Sequence, residues 1–528
     1  MGQSRQKSTK RDKAVDGVHG ATGASERIIA AVLSSRPAAM LRGVLHRFPP
    51  PFMSTALDLI VMAAGKGTRM KSRTPKVLQK LAGRPLLQHV LDTAGQLQAR
   101  SAVVITGHGA EQVEAAIAAH NAGNTALDLK FVRQEPQLGT GHAVQQAVPA
   151  LAGDGMAIVL SGDVPLTQAD TLQGLLDAAG GDKMALLTVT MPDPTGYGRI
   201  VRNAAGTVER IVEQKDASAE ERAITEIYSG IMAVPVRHLM HWLGQLTNDN
   251  AQGEYYLTDI VAMAVADGVA VVGHRIEDTL QVAGVNSPLQ LAELERAHQL
   301  RHAKALMEQG VRLADPARFD LRDDVRGAKG QLLCGQDVEI DVGCIFTGTV
   351  RIADGARIGA YCHISNADIA ADAVIHPFTH IDGEKAGVQV GEGALIGPFA
   401  RLRPGAQLGK EVHIGNFVEV KNSTLADGAK ANHLAYLGDA TVGERVNYGA
   451  GSITANYDGA NKHRTVIEAD VHIGSNCVLV APVTIGAGGT VGGGSTITKS
   501  TPAGALSVAR GRQFSKENWQ RPAKQSKA

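Results

Sequence analysis

Between Leu57 and about Val285 short apolar runs alternate with amphipathic stretches, and beyond about Val311 a six-residue beat takes over. Asp58–Met62, Ser101–Thr106, Leu127–Arg133, Ala157–Ser161 and Met184–Thr190 read as strands, with helical patterns such as Pro85–Gln98 and Glu111–His120 between them. Strand–helix alternation predicts an α/β domain with a parallel sheet covered by helices on both faces. Ligands of such sheets sit at the carboxyl ends of the strands. Residues 289–308 form one unbroken helical pattern, apolar on one side, charged on the other and free of glycine and proline; it reads as a connecting helix.

In the last part, Ile352, Ile358 and Ile364 are six apart, as are Val390, Ile396, Leu402, Leu408, Ile414 and Val420, and then Ile473, Leu479, Ile485, Val491 and Ile497. That period fits neither an α-helix nor an alternating strand. It fits a parallel β-helix, in which each hexapeptide supplies one short face and a turn, and coils stack one on another. Those corners account for the excess of glycine, 60 residues in the chain.

Composition narrows the rest. A chain of 528 residues implies more than one domain. The net charge of +1 offers no electrostatic footing for nucleic acid or an anionic membrane as partner. The four cysteines form no C-x-x-C pair, which argues against a zinc site and for a reduced, cytoplasmic protein. No apolar run approaches the roughly 20 residues of a membrane span. Residues 1–54 are basic and read as a disordered tail closing at Pro49–Phe52; residues 26–48 also allow an amphipathic targeting helix, and Met53 an alternative start.

The first strand opens into Gly65–Met70, a G-x-G-x-x-M loop. The third glycine of the dinucleotide fingerprint is absent, and no G-K-[ST] makes it a Walker loop. A glycine loop carrying Lys66, Arg69 and Lys76 still suits phosphates, because bare backbone N–H groups approach closely and the cations neutralise charge. In QEPQLGTGHA, Gln134 is placed to read a base edge and Gly139-Thr140-Gly141 admits a ligand to the backbone. Asp163, at the end of an apolar strand, is a natural Mg2+ ligand beside phosphates. Farther on, GPFARLRPG puts Arg401 and Arg403 on the repeat, Lys421 follows, and ANHLAYLGDA brings His433 and Tyr436. Two guanidiniums on one face invite a phosphate. Asn456–Lys462 is a loop inserted into the hexapeptides; His433 taken alone reads as a surface or capping histidine.

GKGTRMKSRTPKVL, QLGTGHA, GDVPL, TGYGRI, IVEQKDA and GVNS, followed by hexapeptides, resemble the bacterial bifunctional GlmU family from about Leu57 to Pro522. The resemblance implies a Rossmann-like nucleotidyltransferase domain with a mainly parallel sheet, a connecting α-helix and a left-handed parallel β-helix. It implies N-acetylation of glucosamine-1-phosphate by acetyl-CoA. Transfer of UMP from UTP to N-acetylglucosamine-1-phosphate would follow, feeding peptidoglycan and lipopolysaccharide precursors. It further implies Mg2+, a cytoplasmic homotrimer, and no membrane insertion.

Residue by residue, Met62, Ala63, Ala64, Gly65, Lys76, Gln134, Gly139, Thr140, Ser161, Gly162, Asp163, Gly198, Glu213, Tyr228 and Asn286 would line the uridyltransfer site. Asp163 and Asn286 would hold the metal, with Arg69 and Lys76 facing the triphosphate. Tyr228 stands where the family commonly has Asn. In the second half His433 would be the general base, and Arg403, Lys421, Tyr436 and Asn447 would bind the sugar phosphate. Ala450, Asn456, Tyr457, Ser475, Gly493 and Arg510 would serve acetyl-CoA, Gly493 replacing an Ala of some members. The expected divisions are 1–54, 55–288, 289–309 and 310–528. Two other readings remain: another sugar-1-phosphate nucleotidyltransferase with a structural β-helix, and a non-enzymatic scaffold.

Overall fold

The computed structural model describes residues 56–122, 127–325 and 327–521. The basic tail, the targeting-helix reading and the last residues lie outside them.

The first sheet is built on β1 (Leu57–Met62), β2 (Ser101–Thr106), β3 (Asp128–Arg133), β4 (Met156–Ser161), β5 (Met184–Thr190), β6 (Arg199–Arg202), β7 (Val208–Val212), β8 (Glu226–Pro235) and β9 (Val271–Ile276). Its order is β9-β5-β8-β4-β1-β2-β3, with β6 pairing off β8 and β7 pairing with β6. Strand alternation sends Leu57, Leu59 and Val61 into one core and Ile60 into the other. The first core takes α1 (Leu86–Ala94), α2 (Ala110–His120) and α4 (Ala169–Ala179); the second takes α3 (Thr140–Ala147), α5 (Val236–Leu243) and α6 (Asp259–Ala266).

The sheet is mixed where strand–helix alternation predicts a parallel one. β8 runs antiparallel to both β4 and β5, while β1 pairs with β2 and β4 in parallel. The cause is the connection. After β5 the chain makes the β6–β7 hairpin and a single helical turn at Ala219–Arg222, with no packed crossover helix to carry it back to the starting end. The helix expected over Pro85–Gln98 stops at Ala94, and Gly95–Leu97 tightens into a 3-10 turn.

Helix α7 (Pro288–Glu308) joins the halves. Gln299, almost fully buried, exchanges both amide bonds with Leu321, at 2.8 and 2.9 Å. Glu295 accepts from the Ala82 N–H at 2.6 Å, and Arg84 pairs with Asp323 at 2.6 Å. Ala303 and Leu306 belong already to the core of the second half.

That half is a parallel β-helix. In-register neighbours such as Leu395 and His413, or Arg401 and Glu419, lie eighteen positions apart, which is three hexapeptides per coil. Every residue of the six-residue ladder is buried, from Ile352 to Ile497. Each such aliphatic contributes roughly 1.5–3 kcal/mol of burial, and the stack repeats it coil by coil.

Candidate active sites

At the carboxyl ends of β1 and β4 two loops meet. Gly162 N–H donates to the Met62 carbonyl at 2.9 Å, and the Gln137 amide ties the third loop to the Ala64 carbonyl at 3.0 Å. Ala63 and Ala64 are buried beneath Gly65. Gly67 is left-handed, and a Cβ there would lie 2.6 Å from the Lys76 Cβ, so the second loop glycine makes room for the lysine. Gly139 has φ of +112°, and a Cβ would lie 2.6 Å from the Tyr255 carbonyl.

Lys76 reaches across the cleft. Its Nζ lies 2.5 Å from Asp163 Oδ2 and 3.2 Å from Asn286 Oδ1. Asn286 is brought there by the Val285 N–H, which donates to the Asp163 carbonyl at 3.0 Å, and by Gln290 Oε1, which accepts its N–H at 2.8 Å. A cation is thus already shared by a carboxylate and an amide oxygen, and Gly284 adds no side chain between them. Hard oxygen donors of this kind fit a divalent ion. Tyr197, half-buried, has its phenol pushed up by burial and by the Asp163 charge. Its nearness to the carboxylate was not foreseen in the sequence.

Gln134 is buried, and its Nε2 donates to the Gly139 carbonyl at 2.8 Å; this bond shapes the loop. Thr140 Oγ1 accepts from the Leu257 N–H at 3.0 Å. Glu213 accepts from Thr258 Oγ1 at 3.0 Å, and burial pushes its carboxyl up. Gly198 lies beside it, where a Cβ would meet Ile211 at 2.7 Å. Tyr228 is buried in the core near Glu213, with its hydroxyl unpartnered. Arg69 sits exposed in a 3-10 turn. Ser161 ends β4.

On the β-helix, Arg403 Nη1 donates to Glu419 Oε1 at 2.8 Å, and Tyr436 follows Glu419 in register on the next coil. A Cβ on Gly438 would lie 2.2 Å from the Tyr436 hydroxyl, so that glycine creates the ring's niche. Lys421 is pushed down first by Lys462, then by burial and by Arg403. Lys462 comes from the inserted loop, and its position marks it as a third cation that the sequence reading did not single out. Lys421, Lys462 and Arg403 thus lie close together, a cluster of cations of the kind that suits an anion.

His433 is exposed, and its Nδ1 lies 3.1 Å from Asn416 Oδ1, its register partner on the previous coil. With Nδ1–H donating to that oxygen, Nε2 keeps a free lone pair and can take a proton. Asn416 was not anticipated; its signal was the Asn of the corner IGN lying one coil before the histidine. Asn447 stands exposed one coil further on, paired with Lys430.

The residues expected at acetyl-CoA divide. Ala450, Ser475, Gly493 and Arg510 come together on successive coils. Asn476 N–H donates to the Ala450 carbonyl at 2.7 Å, and Arg510 Nη1 to the Gly493 carbonyl at 2.8 Å. A Cβ at Gly493 would rest 3.4 Å from the Ser475 carbonyl, ordinary contact, so Ala and Gly are exchangeable there. Asn456 instead donates to Asp439, which lies beside Lys421, and Tyr457 projects from the inserted loop.

A nucleotidyltransferase sheet with a cation-ready cleft, joined to a hexapeptide β-helix with an anion site and a poised histidine, defines a two-site transferase. Residues 59–229 match the MobA-like NTP transferase domain, and residues 387–422 and 464–499 match bacterial transferase hexapeptide repeats. The bifunctional protein GlmU of Acidovorax ebreus (strain TPSY) is 80% identical over 90% of this chain and 100% of its own. Those of Polaromonas naphthalenivorans (strain CJ2) and Herminiimonas arsenicoxydans are 74% and 56% identical, each over 89% of this chain and 98% and 99% of their own. The chain belongs to the bifunctional GlmU family. It is an acetyltransferase and uridyltransferase of UDP-N-acetylglucosamine synthesis, and the reading as another nucleotidyltransferase with a purely structural β-helix is not favoured.

Proposed function

We propose that residues 310–528 acetylate glucosamine-1-phosphate and that residues 55–288 uridylate the product, with residues 289–309 between them. The observation that carries the uridyltransfer reading is the meeting of Lys76, Asp163 and Asn286 across separations of 87 and 210 positions.

In acetylation, Arg403, Lys421 and Lys462 hold the phosphate, and Tyr436 and Asn447 face the sugar. The C2 amine forms a bond to the acetyl carbonyl carbon, His433 Nε2 takes the amine proton, and the C–S bond breaks to release CoA thiolate. Asn416 orients the imidazole, and Ala450, Ser475, Gly493 and Arg510 seat the cofactor, with Asn456 and Tyr457 at the edge of the sugar pocket.

In uridylation, a phosphate oxygen of N-acetylglucosamine-1-phosphate attacks the α-phosphorus of UTP, and pyrophosphate leaves. No covalent intermediate is needed, so positioning and charge neutralisation carry the reaction. Asp163 and Asn286 would hold Mg2+, which supplies charge neutralisation on the phosphates. Gly65, Gly139 and Thr140 shape the nucleotide cradle, and Gly198, Glu213 and Tyr228 the sugar side.

We assign the protein to the cytoplasm, where both co-substrates are made. Among the described residues no helix is long and apolar enough to cross a membrane. A homotrimer is supported by one surface feature: Tyr361, Phe378, Phe399 and Phe417 stack at 5.4, 5.1 and 5.4 Å along one corner of the β-helix, each about half exposed. The ladder continues to exposed Leu434, beside His433. A second copy offers a matching apolar edge. Light scattering at micromolar concentration should give three chains; a monomer would remove this reading.

The test of the function is product analysis. Glucosamine-1-phosphate, acetyl-CoA, UTP and Mg2+ should yield UDP-N-acetylglucosamine, and omission of acetyl-CoA should stop it. A uridylated sugar formed without acetyl-CoA would overturn the order.

A further inference from the structure

We infer that Lys76 occupies the cation position of the uridyltransfer site in the nucleotide-free enzyme, so that divalent ion and nucleotide enter as a coupled pair. The inference rests on the reading of Asp163 and Asn286 as the ion's ligands.

The Lys76 ammonium is 2.5 Å from Asp163 Oδ2 and 3.2 Å from Asn286 Oδ1, with the two charged side chains 15% and 17% exposed. Asp163 and Asn286 are also the residues that would hold a divalent ion. An ammonium already bonded to both excludes the ion sterically and by charge. Nor is the lysine free to drift. Pro75 precedes it, Gly67 packs on its Cβ, and the buried Val77 and Leu78 anchor the turn that follows. The backbones of Asp163 and Asn286 are fixed in turn by the Val285 and Gln290 bonds.

Among the described residues, Asp163 is the one acid with which Lys76 forms an ion pair. A triphosphate in the glycine loop would supply other acceptors within its reach and free the carboxylate. The two ligands then favour one another, and by linkage each raises the other's affinity by the same factor. Lys76 thereby acquires a second role beside charge neutralisation: it keeps the acidic ligand from sequestering metal while no nucleotide is bound.

The test is Mn2+ binding to the nucleotide-free full chain, followed by the electron paramagnetic resonance signal of free Mn2+. Lys76→Met is expected to tighten Mn2+ at least ten-fold. Lys66→Met, which removes an exposed cation of the same loop, should change it less than two-fold. Lys76→Gln, which keeps a donor without the charge, serves as a second variant, and thermal melting verifies that each is folded. Unchanged or weaker Mn2+ binding in the folded Lys76 variants overturns the inference. In Lys76→Met/Asp163→Asn the gain should vanish. If it persists, the ion sits elsewhere, and the assignment of Asp163 and Asn286 falls.

Discussion

The two sites of this chain are assembled in opposite ways. The proposed uridyltransfer cleft draws Gly65, Lys76, Gly139, Asp163, Glu213 and Asn286 from loops far apart in sequence; those after β1 and β4 meet because the two strands pair in parallel. The proposed acetyltransfer site is laid out on a lattice: Arg403, Lys421 and Tyr436 occupy successive coils, and Asn416 stands one coil from His433. A loop-built site depends on the packing of the whole domain, whereas a coil-built site depends on register with its neighbours. Two chemistries therefore coexist with few shared supports, and lesions should separate cleanly.

The largest separation is expected from His433→Ala, which should lower acetyltransfer by about 10²–10⁴-fold, the usual worth of a general base, with uridyltransfer unchanged. A thiol-release assay beside a pyrophosphate assay measures both, and retained acetyltransfer would refute the base. Lys76→Ala should lower uridyltransfer by about 10²–10³-fold, as loss of one preorganised charge does, while thiol release continues; equal loss of both would show that the sites are coupled. Asn416→Ala should reduce acetyltransfer kcat by roughly ten-fold with KM for the sugar phosphate unchanged, because the imidazole loses its orientation and not its ligand. A rise in KM alone would recast Asn416 as a sugar contact.

The smallest effect is on acid stability, and it tests whether the halves are held by different forces. Asp58, on β1, is buried; burial by itself would raise its carboxyl, but bonds from Arg100 and Ser101 hold it below the ordinary carboxylate value. A carboxyl lowered on folding stabilises fully above the unfolded value, near pH 4, and loses that contribution as pH falls through the lower folded value. Asp58→Asn should therefore lower the neutral-pH melting point of the first half and flatten its acid dependence, leaving the melting of the β-helix in place. A uniform shift of both transitions by calorimetry would argue against separate supports.

Legibility followed the same divide. The hexapeptide ladder was visible because an inward aliphatic must recur wherever the coil repeats, so each residue of the six-residue ladder, from Ile352 to Ile497, declared its burial by spacing. The first strands were visible as apolar runs. β8 was not: its YSGI segment lacks strong alternation, and its antiparallel direction follows from a hairpin detour. Lys462 was hidden because an inserted loop has no period to read. Tyr197 was hidden because its distance to Asp163 is a property of the folded cleft.

By itself, the sequence of this protein determined the two architectures, the connecting helix and the types of residue able to do the chemistry, since periodicity and glycine placement are local constraints. Tertiary structure alone decided that Lys76 lies between Asp163 and Asn286, that Asn416 comes within bonding distance of His433 Nδ1, and that Asn456 meets Asp439 beside Lys421. Those are contacts between distant segments, and they exist only where packing brings their side chains within bonding distance.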